Sequence, residues 1–257
     1  MDYQYSLELE ILNSSYFSKG TKISIDKNGM VEGSLRNAKD KITYFGYCDD
    51  NNINTQESNF DFLLPIKHCN KLGKFFKIQY VPKLNIYIIK DLGNGFGTFV
   101  KIQDSYIIRN SSLINIGNTY LLFNFVGKNE KEDKSKMFGV GKKLKVKLFD
   151  NKNNYEKKEY NFDNNESRII RVGRKNHGNE IEIDDNVSSK INCIILYDME
   201  KGWILKDGNE IISKDGDITR KLSKNGTWIL AIENIKIIDK MIFKSNCTIF
   251  QCNYIIA

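Results

Sequence analysis

The chain has 257 residues, room for one large domain or two of ordinary size, each able to bury its own core. Hydrophobic residues make up 40% and charged residues 28%, a globular balance that excludes a disordered tail, and two prolines exclude a proline-rich linker or ligand segment. The net charge of +7 comes from lysines spread singly among acids, which reads as a mildly basic surface suited to an acidic or phosphorylated partner and not as a nucleic-acid footprint.

Met1-Asp2-Tyr3-Gln4 opens polar and acidic, and no long apolar run follows, so neither a signal peptide nor membrane insertion is expected. Leu7, Leu9 and Ile11 alternate with Glu8 and Glu10, and Ile23 and Ile25 flank Ser24, the period-two pattern of half-buried strands. Denser runs at Ile86-Tyr87-Ile88-Ile89 and Tyr120-Leu121-Leu122-Phe123 suit strands covered on both faces. Leu144, Val146 and Leu148 alternate with Lys145 and Lys147. Turn residues punctuate these runs at Asp26-Lys27-Asn28-Gly29, Asn94-Gly95, Lys206-Asp207-Gly208, Lys214-Asp215-Gly216 and Lys224-Asn225-Gly226. No stretch carries a helical period with caps, so the expected class is all-β, built as β-sandwiches.

Segments of the two halves answer one another at a spacing of about 128 residues, the mark of an internal repeat. Tyr44-Phe45-Gly46-Tyr47 matches Arg171-Val172-Gly173-Arg174, and Gly95-Phe96-Gly97-Thr98-Phe99-Val100 matches Lys224-Asn225-Gly226-Thr227-Trp228-Ile229. Leu113 to Asn118 matches Met241 to Asn246. The expected organisation is therefore a sandwich over 1–126, a charged linker over 127–141, and a second sandwich over 142–257.

The second half concentrates phosphate-binding chemistry. A phosphate monoester carries close to two negative charges and three acceptor oxygens, so it wants a planar cationic fork with hydroxyl and amide donors on a rigid base. Arg174 follows Gly173 at a strand end, where glycine allows a sharp turn. Ser188 and Ser189 lie in a polar turn before Ile194-Ile195-Leu196, and Asn225-Gly226-Thr227 forms another. Loops of a sandwich cluster at its ends, so these residues can converge. Taken alone, Arg174 also suits a surface ion pair with Asp184 or Asp185, and Asn225-Gly226 suits a type I′ hairpin.

Gly173-Arg174, Asn179-Glu180-Ile181, Val187-Ser188-Ser189-Lys190, Trp203 before Lys206-Asp207-Gly208, and Asn225-Gly226-Thr227-Trp228 occur in an order and spacing that closely resembles the forkhead-associated (FHA) domain, a phosphothreonine-reading β-sandwich. The resemblance covers about residues 142–252. It implies that Arg174 and Ser188 bind phosphate, that Ser189 and Lys190 support it, that Asn225 bonds the peptide main chain, and that Lys224 lies beside residues flanking the phosphothreonine. One departure is Ile191, where the resemblance calls for a loop-bracing histidine.

The first half resembles the same family over about residues 7–125 but lacks its binding positions. Tyr47 replaces the arginine, Phe96 the asparagine, and Leu72 the serine; an alternative alignment uses Ile66-Lys67-His68-Cys69 and leaves Pro65 at the serine position. Tyr47 and Phe96 read either as a rebuilt protein contact or as ordinary sheet aromatics.

Catalysis is not expected. His68 and His177 stand beside no convincing nucleophile, and Gly139-Val140-Gly141-Lys142-Lys143 lacks the spacing and the hydroxyl of a P-loop. Five cysteines without a CxxC pair read as reduced thiols; Cys48, His68 and Cys69 lack the second close pair of a zinc site, and no cofactor is implied. The sequence reads as a non-catalytic interaction protein inside the cell, cytoplasmic by default, with nuclear, organellar and cytoskeletal assemblies still open. Two functions stand: a signalling adaptor for a phosphothreonine-containing protein, or a constitutive scaffold subunit of a large protein assembly using both sandwiches.

Overall fold

A computed structural model describes residues 5–36, 38–47, 59–65, 73–127, 139–150, 156–165, 168–212 and 218–256. The chain is all-β, as the alternation predicts: among the described residues the one regular element that is not a strand is a 3₁₀ turn, Pro82–Leu84. In chain order the first eight strands are β1 (Tyr5–Asn13), β2 (Lys22–Asp26), β3 (Gly29–Met30), β4 (Ile42–Tyr47), β5 (Phe62–Leu63), β6 (Gly73–Val81), β7 (Ile86–Asp91) and β8 (Thr98–Lys101). There follow β9 (Ser105–Ile107), β10 (Ser112–Ile116), β11 (Thr119–Val126), β12 (Lys143–Asp150), β13 (Glu156–Phe162), β14 (Ile170–Arg174), β15 (Ile181–Ile183), β16 (Cys193–Asp198) and β17 (Gly202–Asp207). The last six are β18 (Asn209–Ile212), β19 (Ile218–Lys221), β20 (Trp228–Leu230), β21 (Ile235–Lys236), β22 (Ile242–Ser245) and β23 (Thr248–Ile256).

The strands gather into two compact units that do not coincide with the first and second halves of the sequence. One unit joins residues 1–101 to 230–257; the other is 102–229.

The first unit places β3-β2-β1-β23-β22-β8 in one sheet and β5-β4-β6-β7-β21 in another. Leu7, Leu9 and Ile11 of β1 are fully buried, as their alternation requires. Between the sheets, Phe45 of β4 stacks on Phe76 of β6 at 4.3 Å, and Phe243 of β22 stacks on Phe250 of β23 at 4.8 Å. Phe76 meets Phe243 edge-on at 5.4 Å, so the core is an aromatic cluster drawn from both ends of the chain.

The second unit places β13-β12-β11-β10-β20 in one sheet and β15-β14-β16-β17-β9 in the other, with β18 and β19 forming a separate ribbon. Trp203 is buried in its core, 5.1 Å from the Tyr197 ring, and its indole N–H donates to the Lys142 carbonyl at 2.9 Å.

The repeat survives at the level of strands. β4 and β14 each pair with one short parallel strand, β5 or β15, and one antiparallel strand, β6 or β16. The closing strands, however, are exchanged. In the second unit β9 pairs with β17, β10 with β20, and β11 with β12. In the first unit β21 pairs with β7, β22 with β8, and β23 with β1. Each unit thus takes most of its strands from one sequence half and is completed by the last three of the other. The expected division into 1–126 and 142–257 does not match these units, because a period-two pattern records which face of a strand is buried and not which strand lies beside it. Of the expected linker, residues 128–138 lie outside the described residues.

Candidate functional site

The base of the site is Gly173, inside β14. A Cβ there would lie 2.2 Å from the Lys190 carbonyl oxygen, so glycine is required by close approach of the β15–β16 loop and not by the sharp turn expected from sequence. Gly46 of the first unit has the same relation to the Gly73 carbonyl, at 2.4 Å. The loop is then fastened to the end of β14. The Arg174 N–H donates to the Ser189 carbonyl at 3.0 Å. Asn179, buried, donates its amide both to the Arg174 carbonyl at 2.9 Å and to the Lys190 carbonyl at 2.8 Å.

The Arg174 side chain donates through Nε at 3.0 Å and Nη2 at 2.7 Å to the Ser188 carbonyl. Neither Asp184 nor Asp185 neutralises it; the ammonium facing Asp184, at 3.8 Å, belongs to Lys175. One carbonyl fixes two donors of the fork, leaving Nη1 and a second Nη2 hydrogen for a ligand. Ser188 contributes this carbonyl and not its hydroxyl. The residue is buried, and its Oγ donates to the Asp185 carbonyl at 2.7 Å. In this geometry the Ser188 hydroxyl proton is committed to the Asp185 carbonyl.

Ser189 supplies the accessible hydroxyl. It is half-buried, and its Oγ accepts from the Lys224 N–H at 3.0 Å, leaving the hydroxyl proton to donate outward. Lys190 and Lys224 are exposed. Asn225, also exposed, donates its amide to the Val187 carbonyl at 2.7 Å, and its own carbonyl accepts from the Trp228 indole at 2.9 Å. Gly226 takes φ +80° while Asn225 keeps a negative φ, so the turn is not the type I′ hairpin that Asn-Gly suggests. The structure brings Arg174, Ser189, Lys224 and Asn225 together through these bonds, with Lys190 adjoining and Ser188 beneath.

Sequence reasoning missed the brace under the loop. Asn192, fully buried, accepts from the Ser189 N–H at 3.2 Å and donates to the Thr227 hydroxyl at 3.0 Å. Thr227 donates to Asp207 Oδ1 at 2.6 Å, and Ser223 donates to the same carboxylate from its hydroxyl at 2.7 Å and its N–H at 3.1 Å. Asn192 follows Ile191 directly, so bracing passes to the neighbour of the missing histidine. The sequence signal was a polar residue opening an otherwise apolar strand.

Beside the loop lies a cavity of about 440 Å³ lined by Asn118, Lys158, Tyr160, Lys175, Asp185 and Asn186, among others. The buried Tyr160 hydroxyl has no hydrogen-bond partner among the described residues.

The corresponding end of the first unit is built differently. Phe96 is 55% exposed, Tyr47 is half-buried, and Phe75 is buried at the register position that Asn192 holds in the second unit. Leu72 and the alternative loop 66–69 lie outside the described residues, as do Cys48, His68 and Cys69. The arginine of this unit, Arg36, is consumed internally. It pairs with Asp40 at 2.8 Å and with buried Asp61 at 3.1 Å, holds the Asp40 carboxyl below the ordinary carboxylate range, and has its own pKa raised by them.

No family model, curated protein or solved structure matches this chain. Among the described residues, no group of three or more His, Cys, Asp or Glu side chains is arranged to hold a metal ion. Among the same residues, no helix is long and apolar enough to cross a membrane.

Proposed function

We propose that residues 102–229 form a phosphothreonine-peptide-binding module of FHA type, in a non-catalytic adaptor that works inside the cell. The observation carrying this reading is Arg174: a guanidinium locked by two donors on a main-chain carbonyl, without a carboxylate partner among the described residues, and flanked by the Ser189 hydroxyl, Lys190, Lys224 and Asn225. A fork held this way is pre-organised for phosphate, which lowers the entropic cost of a charge-assisted contact. In this reading Arg174 and Ser189 grip phosphate, the lysines add charge, and the Asn225 carboxamide meets the peptide main chain. The first unit, with Phe96 exposed and no free cationic fork among its described residues, makes phosphate-independent contacts.

The scaffold reading, in which neither unit reads phosphate, is favoured by one observation, the buried and occupied Ser188 hydroxyl. Binding of the wild type and of Arg174→Ala to a phosphothreonine peptide library, with unphosphorylated peptides alongside, decides between them. The adaptor selects phosphopeptides, and Arg174→Ala loses about 1.5–3 kcal/mol, tenfold or more in affinity. A wild type that selects none, or a variant that binds equally well, leaves the scaffold. A methyl group seated in an apolar dent is worth about 1 kcal/mol, so phosphothreonine is preferred over phosphoserine several-fold.

A further inference from the structure

The loop that carries Ser188 and Ser189 is wound around one carboxylate, Asp185. Its Oδ1 accepts from the Val187 N–H at 2.9 Å, and its main-chain carbonyl accepts both the Ser188 N–H at 3.1 Å and the Ser188 hydroxyl at 2.7 Å. The residues wound on Asp185 in turn hold the ligand-facing groups. The Val187 carbonyl receives the Asn225 amide, and the Ser188 carbonyl receives the Arg174 fork. What fixes Asp185 itself comes from the other half of the sequence. Its Oδ2 accepts the N–H of Asn118 at 2.8 Å, in the turn between β10 and β11.

That turn is shaped for the contact. Gly117 has φ +57°, and a Cβ there would lie 2.4 Å from Asp185 Oδ2 and 3.5 Å from Val187 Cβ. Buried Asn115 clamps the turn from inside, donating its amide to the Gly117 carbonyl at 3.0 Å and the Thr119 carbonyl at 3.3 Å. In the first unit the turn from the other sequence half makes a different contact, with the β7–β8 loop. Asn246, in the turn between β22 and β23, accepts the Phe96 N–H on its Oδ1 at 3.0 Å.

We infer that the Gly117-Asn118 turn, a piece of the first sequence half, is the positioning element of the second half's binding loop, so that the exchanged strands complete the site as well as the fold. Gly117 and Asn118 touch no ligand in this account; they act through Asp185 on Ser188, Arg174 and Asn225. The inference rests on the phosphopeptide reading for its affinity readout, and hydrogen exchange provides one that does not depend on it.

The experiment uses the full chain and three single variants, Gly117→Ala, Asp185→Ala and Gly141→Ala, with the double variant Gly117→Ala/Asp185→Ala. Gly141 also has a positive φ, +71°, but a Cβ there meets nothing within 4 Å, so its variant controls for backbone strain alone. Gly117→Ala and Asp185→Ala are each expected to speed amide exchange at Val187 and Ser188 and to lower phosphothreonine-peptide affinity tenfold or more. The double variant should be no worse than Asp185→Ala, because both changes break one chain of contacts. Gly141→Ala should lower the melting temperature without altering exchange at those amides or affinity. Should Gly117→Ala fail to fold, Asp185→Ala and the control carry the test. Unchanged exchange in both site variants, or additive losses in the double variant, overturns the inference. If the wild type binds no phosphopeptide, the phosphate reading falls, and the exchange rates alone decide whether the turn positions the loop.

Discussion

The side-chain amide of Asn192 donates to the Thr227 hydroxyl at 3.0 Å, linking the strand behind the binding loop to the strand that follows Asn225, with both residues buried. Asn192→Leu keeps the branched shape, with bulkier methyl groups, but leaves the Ser189 N–H without its acceptor and removes a donor to Thr227. A loss of about 1–3 kcal/mol is expected from the unsatisfied groups, read by denaturant unfolding. Phosphopeptide affinity should fall further than this stability loss alone would produce, since Ser189 loses its main-chain anchor.

Gly173→Ala sets a Cβ against a backbone oxygen at 2.2 Å, and neither strand nor loop can yield without breaking the bonds of Arg174 and Asn179. It should cost more than about 3 kcal/mol, in the class of overpacked or strained core changes. Gly178→Ala is the comparison: φ is +70° and nothing lies within 4 Å, so about 1 kcal/mol is expected from backbone strain. Unfolding midpoints of the two variants should therefore differ widely.

Lys244 in β22 lies over the Phe99 ring at 5.7 Å, and burial pulls its pKa down to about 8. An ammonium depressed on folding means that the unfolded chain binds more protons between about pH 8 and the ordinary lysine value near 10.4. Stability should therefore rise with pH across that window, and the full penalty should be present below it. Lys244→Met should flatten this slope and raise stability at pH 7 by about 1–3 kcal/mol, measured by thermal unfolding against pH.

Burial pushes the thiols of Cys193 and Cys252 well above the ordinary cysteine range, whereas Cys247 is exposed. A thiol reagent should label Cys247 in the native protein and reach the other two only through opening. Cys193 belongs to the unit 102–229 and Cys252 to the unit closed by β23, so their labelling rates, followed by mass spectrometry, report the two openings separately. Equal fast labelling of all three would refute this protection.

The all-β class was legible because alternation at Leu7, Leu9 and Ile11, and at Leu144 and Val146, is a local property that burial reproduces. The site was legible in composition but not in orientation. Nothing in Val187-Ser188-Ser189 tells which hydroxyl is turned inward, since that follows from the Asp185 carbonyl behind it. Asn192 escaped notice because its value lies in Thr227 and Asp207, which are distant in sequence and adjacent only in the fold. The compact units divide the sequence elsewhere than expected for a related reason. Leu121 lies opposite Leu148 and Phe123 opposite Val146 across β11 and β12, pairings that sequence periodicity permits but does not select.

The exchanged strands also set an order of events on the ribosome. Leu7 waits for Tyr254 and Leu9 for Cys252, so β1, although it precedes the other described strands, has no neighbour on that side until β23, the last of them, has emerged. The unit 102–229 holds all of its strands earlier and can close while the N-terminal strands remain open. Synthesis in chain order therefore favours closure of the inner segment first, with β1, the earliest of the described strands, among the last to be covered.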